Sequence, residues 1–187
     1  MKPRLGFAMT GSFCTLERAL EEMAALAKDY EIIPVLSERV QTLDTRFGKA
    51  AHWRAAAEEI CGRSAVTDPA EAEPLGPKGM LDLMVVCPCT GNTLSKMAHG
   101  ITDGAVTMAV KSHRRRGGRV LIALSTNDAL SGSAPALGLL LDRKGFFFVP
   151  MRQDDPAGKP ASLQYRPEAL APAVAAALRG EQLPVFA

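Results

Sequence analysis

No apolar run in the 187 residues approaches the roughly 20 needed to cross a bilayer, and the amino-terminal "MKPRLGFAMTGS" lacks the long apolar core of a secretion signal. The expected location is the cytoplasm. Four cysteines (Cys14, Cys61, Cys87 and Cys89) do not make a disulfide framework in a chain of this size. Cys87 and Cys89 have no further Cys or His at finger-like spacing, so a structural zinc site is not expected either. The net charge of only +2 gives a nucleic-acid role no support. There are no internal repeats and no low-complexity tract. Neither a Walker Gly-Lys-Ser/Thr loop nor a GxGxxG fingerprint is present.

What is present is an alternation of short apolar runs and helical patterns. A chain this long supports one domain with a proper core, taken here as residues 1–187. "RLGFAM", "EIIPVLS", "LDLMVVCP", "RVLIALS" and "FFFVP" read as strands, and Pro34 marks the second as an edge or an irregularity. The third is apolar at nearly every position, as a strand buried on both faces of a parallel sheet should be. Leu16, Leu20, Met23 and Leu26 recur at helical spacing behind Thr15, a candidate N-cap. Further helices are expected over "HWRAAAEEICG" with Gly62 as its stop, and over residues 93–117 with a break near Gly100 or Gly104. "APALGLLLDRKG" and "PEALAPAVAAALRG" supply the last two. Residues 64–80 and the polar, Pro-rich stretch 152–165 read as loops, the latter mobile. Five strands alternating with helices imply an α/β protein: a three-layer, flavodoxin-like (Rossmann-like), doubly wound parallel sheet with helices on both faces.

In such a sheet ligands sit outside the carboxyl ends of the strands, which directs attention to four loops. "TGSFCT" offers Thr10, Gly11, Ser12 and Phe13 at a strand-to-helix turn, where a glycine permits close approach and a helix start favours an anion. Ser37 ends the second strand. "CPCTGNT" brings Pro88, Thr90, Gly91, Asn92 and Thr93, and an Asn amide suits the donor and acceptor edge of a heterocycle better than a metal. "STND" adds Ser125, Thr126 and Asn127. Each loop alone is also readable as a turn or a helix cap. Together, without a carboxylate cluster or a Ser/His/Asp set, they point to an organic cofactor held by neutral hydrogen bonds. Cys87 is read as core. His52 and His99 are read as structural or exposed. The run His113–Arg119 reads as a basic helix end complementing the helix dipole, with an anionic substrate or a contact between subunits as the alternative.

The series "GFAMTGSFCT", "TRFG", "AEPLGPK", "DLMVVCPCTGNTLSKMAHGITD", "STNDAL" and "FFFVPMRQDDP" closely resembles the B subunits of bacterial dipicolinate synthase, from Arg4 to about Arg166. That family falls by resemblance in the flavoprotein-like superfamily, with phosphopantothenoylcysteine decarboxylase and the flavin prenyltransferases. The resemblance implies a homo-oligomer, a trimer or dodecamer, holding FMN between subunits in these four loops. Gly11, Ser12, Phe13 and Ser37 would surround the phosphate and ribityl chain, Thr90–Thr93 would lie beside the ring, and Ser125–Asn127 would contact substrate. It implies one component of an oxidoreductase, working with an NAD(P)-binding A subunit of dipicolinate synthase. Together they would oxidise a dihydrodipicolinate-type intermediate to dipicolinate in the mother cell of a sporulating bacterium. Arg46, Lys78, Lys96 and Arg114–Arg116 are the cations expected near a small dicarboxylate substrate. No catalytic acid or base stands out. Two departures bear on the other members. Pro74 stands where the decarboxylases carry a histidine, and "STND" replaces the prenyltransferases' Arg-Glu-Thr-Pro. A non-catalytic assembly component, or an FMN-dependent decarboxylase or prenyltransferase using other groups, remain the alternative readings.

Overall fold

The computed structural model describes residues 2–186. Its five main strands are β1 (Arg4–Met9), β2 (Glu31–Leu36), β3 (Leu83–Cys89), β4 (Arg119–Thr126) and β5 (Phe146–Phe148). They are parallel and pair in the order β2-β1-β3-β4-β5. The chain order therefore reverses between β1 and β3, the switch point at which an open α/β sheet leaves a crevice. β2 is indeed an edge strand, so Pro34, which has no N–H to donate, costs the ladder nothing on its outer side.

Helices cover both faces of the sheet: α1 (Leu16–Leu26), α2 (Glu38–Thr42), α3 (Ala50–Cys61), α4 (Pro69–Ala72), α5 (Gly91–His99), α6 (Ala105–Arg114), α7 (Ala134–Asp142) and α8 (Leu170–Arg179). Alternation along the strands sorts the core into two. Leu5, Phe7, Met9, Val85 and Cys87 pack against α1, α3 and α8. Ala8, Met84, Val86, Ile122 and Leu124 pack against α5, α6 and α7. Left-handed glycines end α3 at Gly62 and α5 at Gly100, where a side chain would be strained. Gly104 caps α6, so the expected break occupies both glycines. No helix among the described residues is long and apolar enough to cross a membrane.

Three segments differ from the sequence reading. Thr15 stands at the N-cap of α1, but its hydroxyl donates to the Ser12 carbonyl instead of accepting from the helix. The expected loop 64–80 contains α4, where the Asp68 carboxylate accepts from the Ala70 and Glu71 amides at 2.7 and 2.9 Å and Pro69 opens the helix. The expected loop 152–165 is flanked by two short antiparallel strands, β6 (Met151–Arg152) and β7 (Leu163–Tyr165), so the sheet is mixed and has seven strands. β5 is only three residues long and pairs with β4 over Val120–Ile122, which leaves the far end of β4 for β7 to take through Ser125 and Thr126.

β7 is also tied down from below. The Tyr165 hydroxyl donates to Glu22 Oε2 on α1 at 3.0 Å, and the Cys87 thiol donates to the same oxygen at 3.5 Å. Glu22 Oε1 is buried with no partner. Burial pushes the Glu22 carboxyl up to about 7, the Tyr165 and Cys87 hydrogen bonds opposing. Between about pH 4.5 and 7 the folded state therefore holds a proton that the unfolded chain releases, and stability falls as pH rises through that window. Glu22→Gln cannot ionise. Its unfolding free energy in urea, relative to the natural chain, should rise from pH 5 to pH 8 by on the order of 1 kcal/mol once solvent screening is discounted. Parallel profiles would rule this out.

A close approach fixes the start of α5. A Cβ on Gly91 would fall 2.4 Å from Ser133 Oγ, 2.7 Å from Asp128 Oδ1 and 2.8 Å from Thr126 Oγ1, so the helix packs its backbone directly onto the turn after β4. A Cβ on Gly11 would meet nothing nearer than 3.4 Å. Gly91→Ala should therefore cost about 1–3 kcal/mol by urea unfolding, the usual range for overpacking. Gly11→Ala should stay within about 0.5 kcal/mol.

Candidate functional site

At the carboxyl edge, on either side of the switch point, two hollows adjoin and share Gly11, Thr90 and Asn92. The first, of about 340 Å³, is lined by Ser37, Glu38, Arg39, Thr93, Lys96 and residues 103–107 besides the shared ones. The second, of about 590 Å³, runs past Ser12, Cys14 and Gly91 to Ser125–Asp128 and ends against Lys159, Ser162 and Gln164. A volume of this kind, open along one side and lined by small polar groups, suits an elongated organic ligand.

Each wall is held by its own bonds. Thr90 is a working N-cap: its hydroxyl accepts from the Thr93 amide at 3.2 Å and donates to the Thr93 hydroxyl at 3.1 Å. The hydroxyls of Ser12 and Ser125 meet at 3.0 Å and join the loop after β1 to the end of β4. Asp128 Oδ1 accepts from Thr126 Oγ1 at 2.6 Å and from Ser133 Oγ at 2.9 Å. α2 is anchored by Gln41, which donates to the carbonyls of Leu36 and Thr67 at 2.9 and 2.8 Å, and this sets Arg39 in the first hollow. Lys96 reaches the same hollow from α5 and pairs with Asp103 at 2.7 Å, which holds the Asp103 carboxyl below its usual range.

Most of the residues expected from the sequence do converge here: Gly11, Ser12, Ser37, Thr90, Gly91, Asn92, Thr93, Ser125, Thr126 and Asn127. Others do not. Thr10 is buried and spends its hydroxyl on the protein, donating to the Pro88 carbonyl at 2.7 Å and accepting from the Thr90 amide at 3.0 Å. Pro88 is buried in the bulge where β3 slips register against β4, after the cis Cys87–Pro88 peptide. Phe13 packs on the core. Gly91 does line the second hollow, but through its backbone alone, since its open side is filled by Ser133, Asp128 and Thr126. Among the expected cations only Lys96 lines the cleft. Arg46 is exposed over the Phe47 ring at 4.8 Å, between α2 and α3. Lys78 and Arg114–Arg116 lie before β3 and β4, at the opposite, amino edge of the sheet. His52 and His99 are outside the cleft, with Glu17 at 3.7 Å from the first and the Ser95 carbonyl at 2.8 Å from the second.

The structure also adds residues that sequence reasoning passed over. Arg39 stands two places after Ser37, in a helix too short for periodicity to reveal. The amino end of α6, Gly104–Thr107, opens into the first hollow; the glycine was legible as a helix break but not as part of a site. Lys159 and Ser162 come from the β6–β7 connection and Gln164 from β7 itself.

The arrangement can hold an anion and a heterocycle through its own side chains and amides. The starts of α5 and α6 face the first hollow, where unpaired amides and the helix dipole favour negative charge, and Arg39 and Lys96 add cations. Ser37 Oγ is buried there with no partner in the protein, an orphan that a ligand oxygen would satisfy. Asn92 and Asn127, both exposed, present amides along the second hollow. No group of three His, Cys, Asp or Glu among the described residues is placed to hold a metal ion.

Comparison with known proteins agrees with this geometry. The family model described as Flavoprotein matches residues 1–133. The dipicolinate synthase B subunit of Bacillus subtilis (strain 168) is 40% identical over 181 residues, 96% of this chain and 90% of that protein. The crystal structure of the dipicolinate synthase B subunit from Bacillus halodurans C superposes with a TM-score of 0.90 at 40% identity, covering 100% of this chain and 98% of the other. The FMN-dependent cysteine decarboxylase SpaF shares the fold at 21% identity, with a TM-score of 0.68 over 95% of this chain and 97% of its own. By its sequence and by the cleft at its switch point, the chain belongs to the flavoprotein family, among the dipicolinate synthase B subunits.

Proposed function

We propose that the chain, as one flavoprotein-like domain over residues 1–187, binds FMN across the two hollows and forms the flavin-bearing B subunit of a dipicolinate synthase. With an NAD(P)-binding A subunit it would oxidise a dihydrodipicolinate-type intermediate to dipicolinate, in the cytoplasm of a sporulating mother cell. The observation that carries the reading is the cleft itself, a pair of hollows with Arg39, Lys96 and two helix starts at one end and amides, hydroxyls and Lys159 at the other.

In this reading Ser37, Arg39 and the amide ends of α5 and α6 hold the phosphate, and Ser37 Oγ gains the partner it lacks. Asn92 and Thr93 face the ring, while Ser125–Asn127 and Lys159 leave room in the second hollow for a dicarboxylate. Bound there, the flavin would supply a hydride acceptor that none of the twenty side chains offers. The protein's part is to orient the two partners and to balance their charge. Two hollows open along one side also favour the homo-oligomer, trimer or dodecamer, that the resemblance implies, since a neighbouring copy could close the cleft.

The purified chain, given FMN and dialysed, should keep the visible absorption bands of oxidised flavin. Failure to retain them at a concentration where the oligomer is intact would shift the reading to a non-catalytic assembly role. Arg39→Ala and Lys96→Ala should each weaken FMN binding by about tenfold, the effect of losing one charge-assisted hydrogen bond. Arg46→Ala, outside the cleft, should leave it unchanged. An equal loss in all three variants would mean that the phosphate lies elsewhere.

A further inference from the structure

The basic run that the cleft does not use gathers at the opposite edge of the sheet. There a hollow of about 490 Å³ is lined by Gly76, Gly79, Asp82, His113, Arg116, Gly118 and Arg119, among others. Arg4 stands at its margin, donating to the Gly79 carbonyl at 3.0 Å and lying 3.6 Å from the Asp82 carboxylate. Arg116 donates to the Pro77 carbonyl at 2.9 Å, and Arg119 donates to the Leu178 carbonyl at 2.6 Å. A guanidinium has five N–H donors, so Arg116 and Arg119 each retain most of their capacity. Neither of these two makes an ion pair among the described residues.

The charges do not cancel. Three guanidiniums, Arg4, Arg116 and Arg119, face one carboxylate, Asp82. The carboxyl ends of α6 and α8 add about half a negative charge each, which leaves an excess of about one positive charge. Holding it there is unfavourable unless water or an anion answers it. Beneath the arginines lies His113, only 5% exposed, its Nε2 without a partner. The ring edge lies against Gly118, where a Cβ would come within 2.3 Å of Nε2, so only glycine leaves room for the imidazole in the wall. Burial lowers the His113 pKa, with the nearby Arg114 adding to the effect, while the Arg119 backbone and the Asp82 charge act the other way.

We infer that this amino-edge hollow is a second binding site, for one small oxyanion, recognised by Arg116 and Arg119 over His113 and separate from the flavin cleft. Phosphate and carboxylate present the same chemistry to a guanidinium fork, two oxygens in a plane, and both carry the charge the hollow lacks. The site lies at the starts of β3 and β4, whereas the cleft lies at their ends, so an anion there would meet none of the groups assigned to FMN. The inference does not rest on the proposed activity.

The test follows the imidazole C–H resonances of His113 by NMR through a pH titration of the intact chain, in chloride, with inorganic phosphate, and with pyridine-2,6-dicarboxylate. An anion held against the arginines should raise the His113 midpoint by about one unit, whereas His52 and His99 should not move with it. A shift with phosphate alone identifies a phosphate site, and a shift with the dicarboxylate alone identifies a carboxylate site. Arg116→Gln should weaken the effective anion about tenfold and leave FMN retention as in the natural chain. No shift with either anion in the natural chain would overturn the proposal. So would a shift that survives unchanged in Arg116→Gln.

Discussion

The cleft depends on one hydroxyl. Thr10 closes β1, and its Oγ1 donates to the Pro88 carbonyl and accepts from the Thr90 amide, both on the neighbouring strand's exit. Its own amide also donates to the Pro88 carbonyl, at 3.3 Å. Replace the hydroxyl by a methyl group and the part-buried Thr90 amide loses its partner, a cost on the order of 1 kcal/mol. What Thr10 fixes is more than stability. It sets the distance between the loop that carries Gly11 and Ser12 and the helix start that carries Asn92 and Thr93, and so the width of the crevice at the switch point. A residue that reads as a ligand contact thus acts one layer below it, holding the groups that face the cleft.

The same displacement explains what the sequence made legible and what it did not. β1 to β5 and the longer helices were readable because buried parallel strands are apolar throughout and amphipathic helices repeat every three or four residues. Four loops ending four strands could be assigned to one edge on topology alone, and Ser37, Asn92 and Asn127 reached it as expected. Side-chain direction was not readable. Thr10, Phe13 and Pro88 belong to the right loops but turn inward, and no periodicity distinguishes an inward from an outward residue in a turn. Nor do cations carry an address: Arg46 and Lys78 have the chemistry for a carboxylate, but one lies over Phe47 and the other at the far edge. Arg39 was hidden because a five-residue helix has too few turns to show a pattern.

Charge is distributed between the two edges by the parallel sheet itself. Every crossover starts its helix at the carboxyl edge and ends it at the amino edge, so positive helix ends collect on one side and negative ones on the other. The cleft uses the positive ends of α5 and α6, with Arg39 and Lys96 to supplement them in the first hollow and Lys159 in the second. The amino edge must answer negative ends, and His113–Arg119 does so with donors to carbonyls: Arg114 to Gly118 and Lys144, Arg116 to Pro77, Arg119 to Leu178. The basic run is therefore structural first. It becomes a candidate site because it supplies more donors than the helix ends consume.

The third wall of the cleft is held differently from the other two. Lys159 and Ser162 reach it from the β6–β7 connection and Gln164 from β7, a hairpin whose register rests on two residue pairs to β4 and two between its own strands. Asp154 organises the connection by accepting from Ser162 at 2.9 Å and from Lys159 and Gln164 at 3.1 Å. Underneath, Tyr165 is bonded to Glu22, whose carboxyl burial pushes up to about 7. A short hairpin with so few ladder bonds takes its position from such side-chain ties, because each backbone pair contributes little on its own. The parallel sheet thus fixes two sides of the cleft, while the third combines a hairpin anchored in the core by Met151, Leu163 and Tyr165 with a connection tied by Asp154.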